Sequence, residues 1–307
     1  MHKDADISRV RDIFLIPSNG GEPKKLTQGS HVISDLSWSP SDKEMAFIGH
    51  DQHRGVATNM DIWIMSLEEG CPINLTTSFD RSINRNVGSD VRVATPNAGI
   101  VWLPNSDFIY FVTGTVPTAN IYRVDSHTAD VEQITTSKNI EGFSFSADGS
   151  VLAYSAMDAT HLAEIWIMTK DGERQVTRFN DELFKELTLS VPEQYVFKNK
   201  LGTTIDAWIL KPPYFELGKR YPAVLEIHGG PRAIYGNAMY HEFQVLAAEG
   251  YIVLYTNPRG SGGYGEEYAA SLIGQHGNID YRDLMTFIDD ALERFDFIDP
   301  GRLYVTF

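Results

Sequence analysis

Four segments of the chain repeat one local pattern, and that repetition limits the available folds more than any other feature. The segments are Asp12-Ile-Phe-Leu-Ile16, Asp61-Ile-Trp-Ile-Met65, Asn120-Ile-Tyr-Arg-Val124 and Glu164-Ile-Trp-Ile-Met168. Each opens on a polar residue and continues with the aromatic and β-branched types that suit a pleated surface. A short turn follows each, at Ser18–Gly21, 68–70, Asp125–His127 and Lys170–Gly172. Each then closes on an aliphatic-Thr pair: Leu26-Thr27, Leu75-Thr76, Ile134-Thr135 and Val176-Thr177. Composition and spacing identify these as hairpins.

A second element alternates with the first. Trp38–Phe47, Trp102–Phe111 and Phe145–Tyr154 share an aromatic, a turn rich in Ser, Pro, Asp and Gly, and a strand ending on an aromatic. The repeats start at 12, 61, 120 and 164, at intervals of 49, 59 and 44 residues. A period near 40–50 residues with four strands per repeat is the signature of a β-propeller. The polar stretch 77–97 reads as an inserted loop that absorbs the longest interval. Counting blades gives one half-blade at 10–28 and three full ones at 31–77, 98–136 and 140–178. The propeller is therefore expected to be cut at its N-terminal side. Trp38, Trp63, Trp102 and Trp166 are expected to face the core. His50, His53, His127 and His161 lie in or near loops, lack metal-ligand spacing and read as solvated or capping residues.

The pattern fades between Asn180 and Pro192, which puts a boundary at 182/183. A hairpin, 193–198 and 204–210, turns at Asn199–Gly202. Strand 222–228, helix 239–249, strand 251–255, helix 281–295 and strand 302–306 follow. Strand and helix alternating with short links is the grammar of a parallel α/β sheet.

The apolar strand Val224–Ile227 runs into His228-Gly-Gly-Pro231, where two glycines and a proline stop any ladder. Those four residues admit two readings, a tight strand exit or a loop whose backbone N–H faces a substrate oxyanion. Glycine suits the second because no Cβ obstructs approach to the backbone.

Composition narrows the function classes. A formal net charge of −15 disfavours nucleic acid or an anionic membrane as partner. The single cysteine, Cys71, excludes an internal disulfide framework and a cysteine-based metal cluster, and it fits a cytoplasmic location. No apolar run is long enough for a membrane span, and no cofactor motif is present.

In order along the chain, His228-Gly-Gly-Pro231, Asn257-Pro-Arg-Gly-Ser-Gly-Gly-Tyr-Gly265 and Asp299-Pro-Gly-Arg-Leu-Tyr-Val-Thr306 resemble the prolyl oligopeptidase family. The closest likeness is to its acylaminoacyl-peptidase and dipeptidyl-aminopeptidase branch. The resemblance implies a partial propeller of about three and a half blades (1–182) followed by the N-terminal portion of an α/β-hydrolase domain (183–307). It implies a serine peptidase acting on short peptides, with the propeller sifting substrates by size. It implies Gly230 and Gly229 as oxyanion-hole residues, with His228, Pro231, Arg259 and Tyr264 shaping the cleft.

The family's Ser-Asp-His triad is expected beyond Phe307, because the nucleophile sits on a Gly-x-Ser-x-Gly elbow directly after a strand. No serine of the chain has glycines at both −2 and +2, and Ser261 is preceded at −2 by Arg259. His276 stands where relatives carry an aromatic and reads as a packing or surface residue. The chain alone is therefore expected to be an inactive fragment, partnered by a complementary C-terminal chain or a second copy of itself. The rival functions are a non-enzymatic propeller binding protein and a propeller-decorated carboxylesterase.

Overall fold

The structure is a computed structural model describing residues 9–68, 70–84, 87–92, 99–104 and 106–307. Strands β1 (Phe14–Leu15) and β2 (Lys24–Lys25) form a two-stranded antiparallel sheet. Three four-stranded antiparallel sheets follow, each built from one continuous stretch of chain. The first holds β3 (Val32–Trp38), β4 (Glu44–His50), β5 (Asp61–Ser66) and β6 (Pro72–Asn74) in sequence order. The second holds β7 (Val101–Trp102), β8 (Phe108–Thr115), β9 (Thr118–Asp125) and β10 (Val131–Gln133). The third holds β11 (Asn139–Phe145), β12 (Leu152–Met157), β13 (Glu164–Thr169) and β14 (Gly172–Gln175).

The two conserved-in-spacing ends of the repeat meet in space. Thr27, Thr76 and Thr135 donate their hydroxyls to Asp12 Oδ1 (2.7 Å), Asp61 Oδ1 (2.9 Å) and Asn120 Oδ1 (3.1 Å). Thr177 does the same to Glu164 Oε2 (2.5 Å). Each hydroxyl oxygen also accepts the N–H of the next residue, Ile13, Ile62, Ile121 or Ile165. One threonine thus satisfies a backbone donor and a polar side chain at the start of the same hairpin, which explains why both types recur together. Apolar residues between the staples fill a core that includes Ile48, Ile62, Ile109, Phe111 and Ile121, all fully buried.

One expectation for this half changes, and one narrows to its capping alternative. Trp38 is 46% exposed, because the β3–β4 register shifts between Ile33 and Leu36 and flips the side-chain alternation beyond it. His50 is buried at the end of β4, its Nδ1 accepting the Gln52 N–H at 3.1 Å. The inserted loop 77–97 lies outside the described residues at 85–86 and 93–97.

Helix α1 (Asp181–Glu186), which the fading pattern did not predict, leads into a five-stranded sheet. Its strands are β15 (Glu193–Lys198), β16 (Thr204–Leu210), β17 (Tyr221–Glu226), β18 (Ile252–Thr256) and β19 (Ile298–Thr306), in the order β15-β16-β18-β17-β19. β17 is parallel to both β18 and β19. α2 (His241–Ala248) joins β17 to β18, and α3 (Glu266–Ala270) and α4 (Ile279–Arg294) lie between β18 and β19. Phe287 and Ala291 of α4 pack with Ala223 and Leu225 on one face, whereas Phe243 and Ala247 of α2 pack with Val253 and Tyr255 on the other. The connections after β17 and β18 therefore leave on opposite faces, which opens a crevice at the carboxyl ends of these strands. β19 begins earlier than expected, with Asp299–Gly301 looped out where its register against β17 shifts.

Candidate active site

The crevice is lined by the loops after β17 and β18. β17 ends at Glu226, two residues short of the expected strand, and Ile227 adds one bond from its N–H to Thr306 O at 3.1 Å. Gly230 has φ +88°, a left-handed conformation costly for any residue with a Cβ. Gly229 and Gly230 are exposed, and among the described residues neither amide N–H has a hydrogen-bond partner. Two exposed amide donors without a protein partner can both be offered to an oxyanion. Pro231, which has no N–H, is exposed beside them.

The loop after β18 holds this turn in place. His228 Nε2 lies 3.0 Å from Ser261 Oγ, and its ring meets Tyr235 edge-on at 4.9 Å. Burial lowers the His228 pKa, so the ring is neutral at pH 7. Asn257, fully buried, accepts the Tyr235 N–H at 2.8 Å and donates to Tyr235 O (2.8 Å) and the Tyr264 hydroxyl (3.1 Å). Burial raises the Tyr264 pKa, which keeps that hydroxyl a neutral partner. The Arg259 side chain turns to α4, where Nε and Nη2 each lie 2.8 Å from Asp283, and Asn199 also donates to that carboxylate. The paired carboxylate raises the Arg259 pKa. His276 is exposed and reaches Asp280 at 3.3 Å.

The first half of the chain closes over the same loops. Arg232, two residues after Gly230 and buried, donates to Val56 O (2.9 Å), Thr58 O (3.0 Å) and Asn59 Oδ1 (2.9 Å). Asp90 accepts the N–H groups of His241 and Glu242 and so caps α2, while Ser89 donates to Met239 O. Glu266 at the start of α3 takes His53 Nε2 at 2.7 Å and the Asn59 N–H at 2.8 Å. These bonds border a polar cavity of about 330 Å³ lined by His50, Asp51, Asn59, Asp80 and Glu266. His53 is thus a link between halves and not only a loop residue; the two carboxylates beside it raise its pKa.

Sequence reasoning did not find Arg232, Asp90, Glu266 or Asn257 as the ties that hold this site. Arg232 and Asp90 bond partners more than 150 positions away, so no local pattern marks them.

Residues 237–306 match the prolyl oligopeptidase family. The chain is 33% identical over 251 residues to an uncharacterised peptidase of Bacillus subtilis, covering 81% of this chain and 38% of the relative. It is 24% identical over 306 residues to dipeptidyl-peptidase 5 of Porphyromonas gingivalis, covering 97% and 42%. The acylaminoacyl peptidase structure of Pyrococcus horikoshii superposes with a TM-score of 0.78 at 26% identity, covering 96% of this chain and 43% of that one. The chain thus spans about two fifths of the length of the relatives it matches. By these matches, and by the order of its strand-end loops, the chain belongs to the prolyl oligopeptidase family.

Proposed function

We propose that this chain forms the substrate-covering face and the oxyanion side of a serine peptidase that releases acylaminoacyl or dipeptidyl groups from short peptides. The three four-stranded sheets and the two-stranded one serve as three and a half propeller blades within 1–182, and 183–307 serves as the opening part of the hydrolase domain. The observation that carries the reading is the pair of exposed amides at Gly229 and Gly230, without a protein partner among the described residues, beside a neutral, partly buried His228. Gly230 N–H stabilises the charge on the substrate oxygen. His228, Pro231, Arg259 and Tyr264 shape the cleft around it.

The nucleophile is not among the serines of this chain, so the chain by itself turns over no acyl-peptide or aminoacyl substrate. The names of the relatives favour a peptidase over a non-enzymatic binder or a carboxylesterase.

Chromogenic aminoacyl anilides test both parts. The purified chain is expected to be silent. The chain extended by the segment that follows the corresponding strand in the Bacillus subtilis relative is expected to cleave them. Anilide cleavage by the unextended chain, abolished by changing one of its own residues, overturns the inactivity. Ester hydrolysis without anilide or peptide cleavage by the extended chain makes it an esterase.

A further inference from the structure

The ring of His228 touches both the loop after β18 and the peptide group that carries the proposed oxyanion donor. Its Nδ1 is 3.4 Å from Gly229 O. That carbonyl and the Gly230 N–H belong to one planar peptide unit, so fixing one end aims the other. At the opposite edge, Nε2 lies 3.0 Å from Ser261 Oγ, and Ser261 Oγ lies 2.7 Å from Pro258 O. A carbonyl oxygen only accepts, so the single Ser261 hydroxyl proton points to Pro258 O. Oγ then accepts from His228, which puts the ring proton on Nε2. The unprotonated Nδ1 faces the Gly229 carbonyl as a second acceptor, at a separation too long for a strong bond.

Ser261 is 1% exposed, and the partly exposed His228 ring is flanked by Tyr235.

We propose that Ser261, by holding the His228 proton on Nε2, denies the Gly229 carbonyl a ring donor, so that the tautomer of His228 decides the plane of the Gly229–Gly230 peptide and thereby the aim of the Gly230 N–H. This control deepens the reading of Gly230 as an oxyanion donor and rests on it for its purpose. Both are positioning residues, since neither touches a reacting atom. The signal for Ser261 in the sequence was its place in the glycine-rich loop, not a nucleophile motif.

Nitrogen-resolved NMR of the full chain, labelled at histidine and glycine, tests this at pH 7 without substrate. The expected result is a neutral His228 protonated on Nε2 alone. Ser261→Ala removes the acceptor, so the Nδ1–H form, able to donate to Gly229 O, becomes populated and the Gly230 amide signal moves. Ser261→Thr keeps a hydroxyl and is expected to restore both signals. An Nδ1-protonated ring in the unmodified chain overturns the proposal, and so does Ser261→Ala leaving the His228 nitrogens and the Gly230 amide unmoved. Should the alanine variant not fold, the tautomer of the unmodified chain decides alone. These signals are read without catalysis, so a failed peptidase assay leaves them unchanged, and their failure leaves the peptidase assay unchanged.

Discussion

Among the described residues every strand of the repeated half pairs with its neighbour in sequence, whereas the five-stranded sheet breaks that order at two pairs, β16–β18 and β17–β19. The break has a consequence for chemistry. A sheet of successive hairpins closes its polar groups locally, as the Thr76–Asp61 staple does across 15 residues. A sheet with crossovers sends its strand ends to opposite faces and leaves backbone donors such as Gly230 open in the crevice between them. The first half therefore satisfies its backbone locally, and the second leaves open backbone donors at its strand ends. Contacts such as Arg232 with Val56, Thr58 and Asn59 make the two act as one.

The largest expected effect comes from cutting that tie. Arg232→Met is expected to destabilise the chain by roughly 2–4 kcal/mol, since it strips a buried guanidinium from three acceptors that water cannot reach in its place. Chemical denaturation followed by circular dichroism reads the loss. Hydrogen exchange is expected to rise on both sides, in residues 54–60 and 229–235. A loss below about 1 kcal/mol, or exchange that rises on one side only, breaks the picture of a shared lock.

Within the repeated half, the staples differ in burial and so in worth. Thr76 is fully buried, whereas Thr177 is only partly so. Thr76→Val leaves the Ile62 N–H and the Asp61 carboxylate without their shared partner, at a cost of roughly 1–3 kcal/mol. Thr177→Val is expected to cost less, about 0.5–1 kcal/mol, because water can replace the hydroxyl. Equal losses in thermal denaturation would mean that the recurrence of threonine reflects strand geometry and not the bonds.

The same contrast explains what could be read from the residues alone. Hairpin positions, the turn at Asn199–Gly202, and the strand–helix alternation after Glu193 are short-range patterns, and the described sheets follow them. Trp38 misled because a one-residue irregularity near Ile33 is invisible in an alternating pattern. α1 and α3, of 6 and 5 residues, are too short to show helical periodicity. Glycines at 229 and 230 pointed to an open backbone. Nothing local pointed to the partners of Arg232 or Asp90, which the chain meets only once both halves are folded.

The last effect concerns Glu226, where the five-stranded sheet departs most from the self-satisfied first half. It lies at the end of β17, is 3% exposed, and among the described residues its Oε1 has no hydrogen-bond partner. Burial, and then the charges of Glu242 and Asp90, raise its pKa from 4.5 to about 7. Between those values the unfolded chain has released this proton and the folded chain still holds it. Stability from this group is therefore full below pH 4.5, falls as pH rises toward 7, and levels off above. A shift of that size corresponds to a fall of roughly 3 kcal/mol. Glu226→Gln keeps the shape and removes the titration. The difference in unfolding midpoint between this variant and the parent is expected to grow from pH 5 to pH 8, with the variant the more stable at pH 8. Because Asp90 caps α2 from the first half, that gain is expected to shrink in an Asp90→Asn background, where one of the opposing charges is gone. A pH-independent difference would place the Glu226 proton elsewhere and remove the electrostatic link between the two halves at this point.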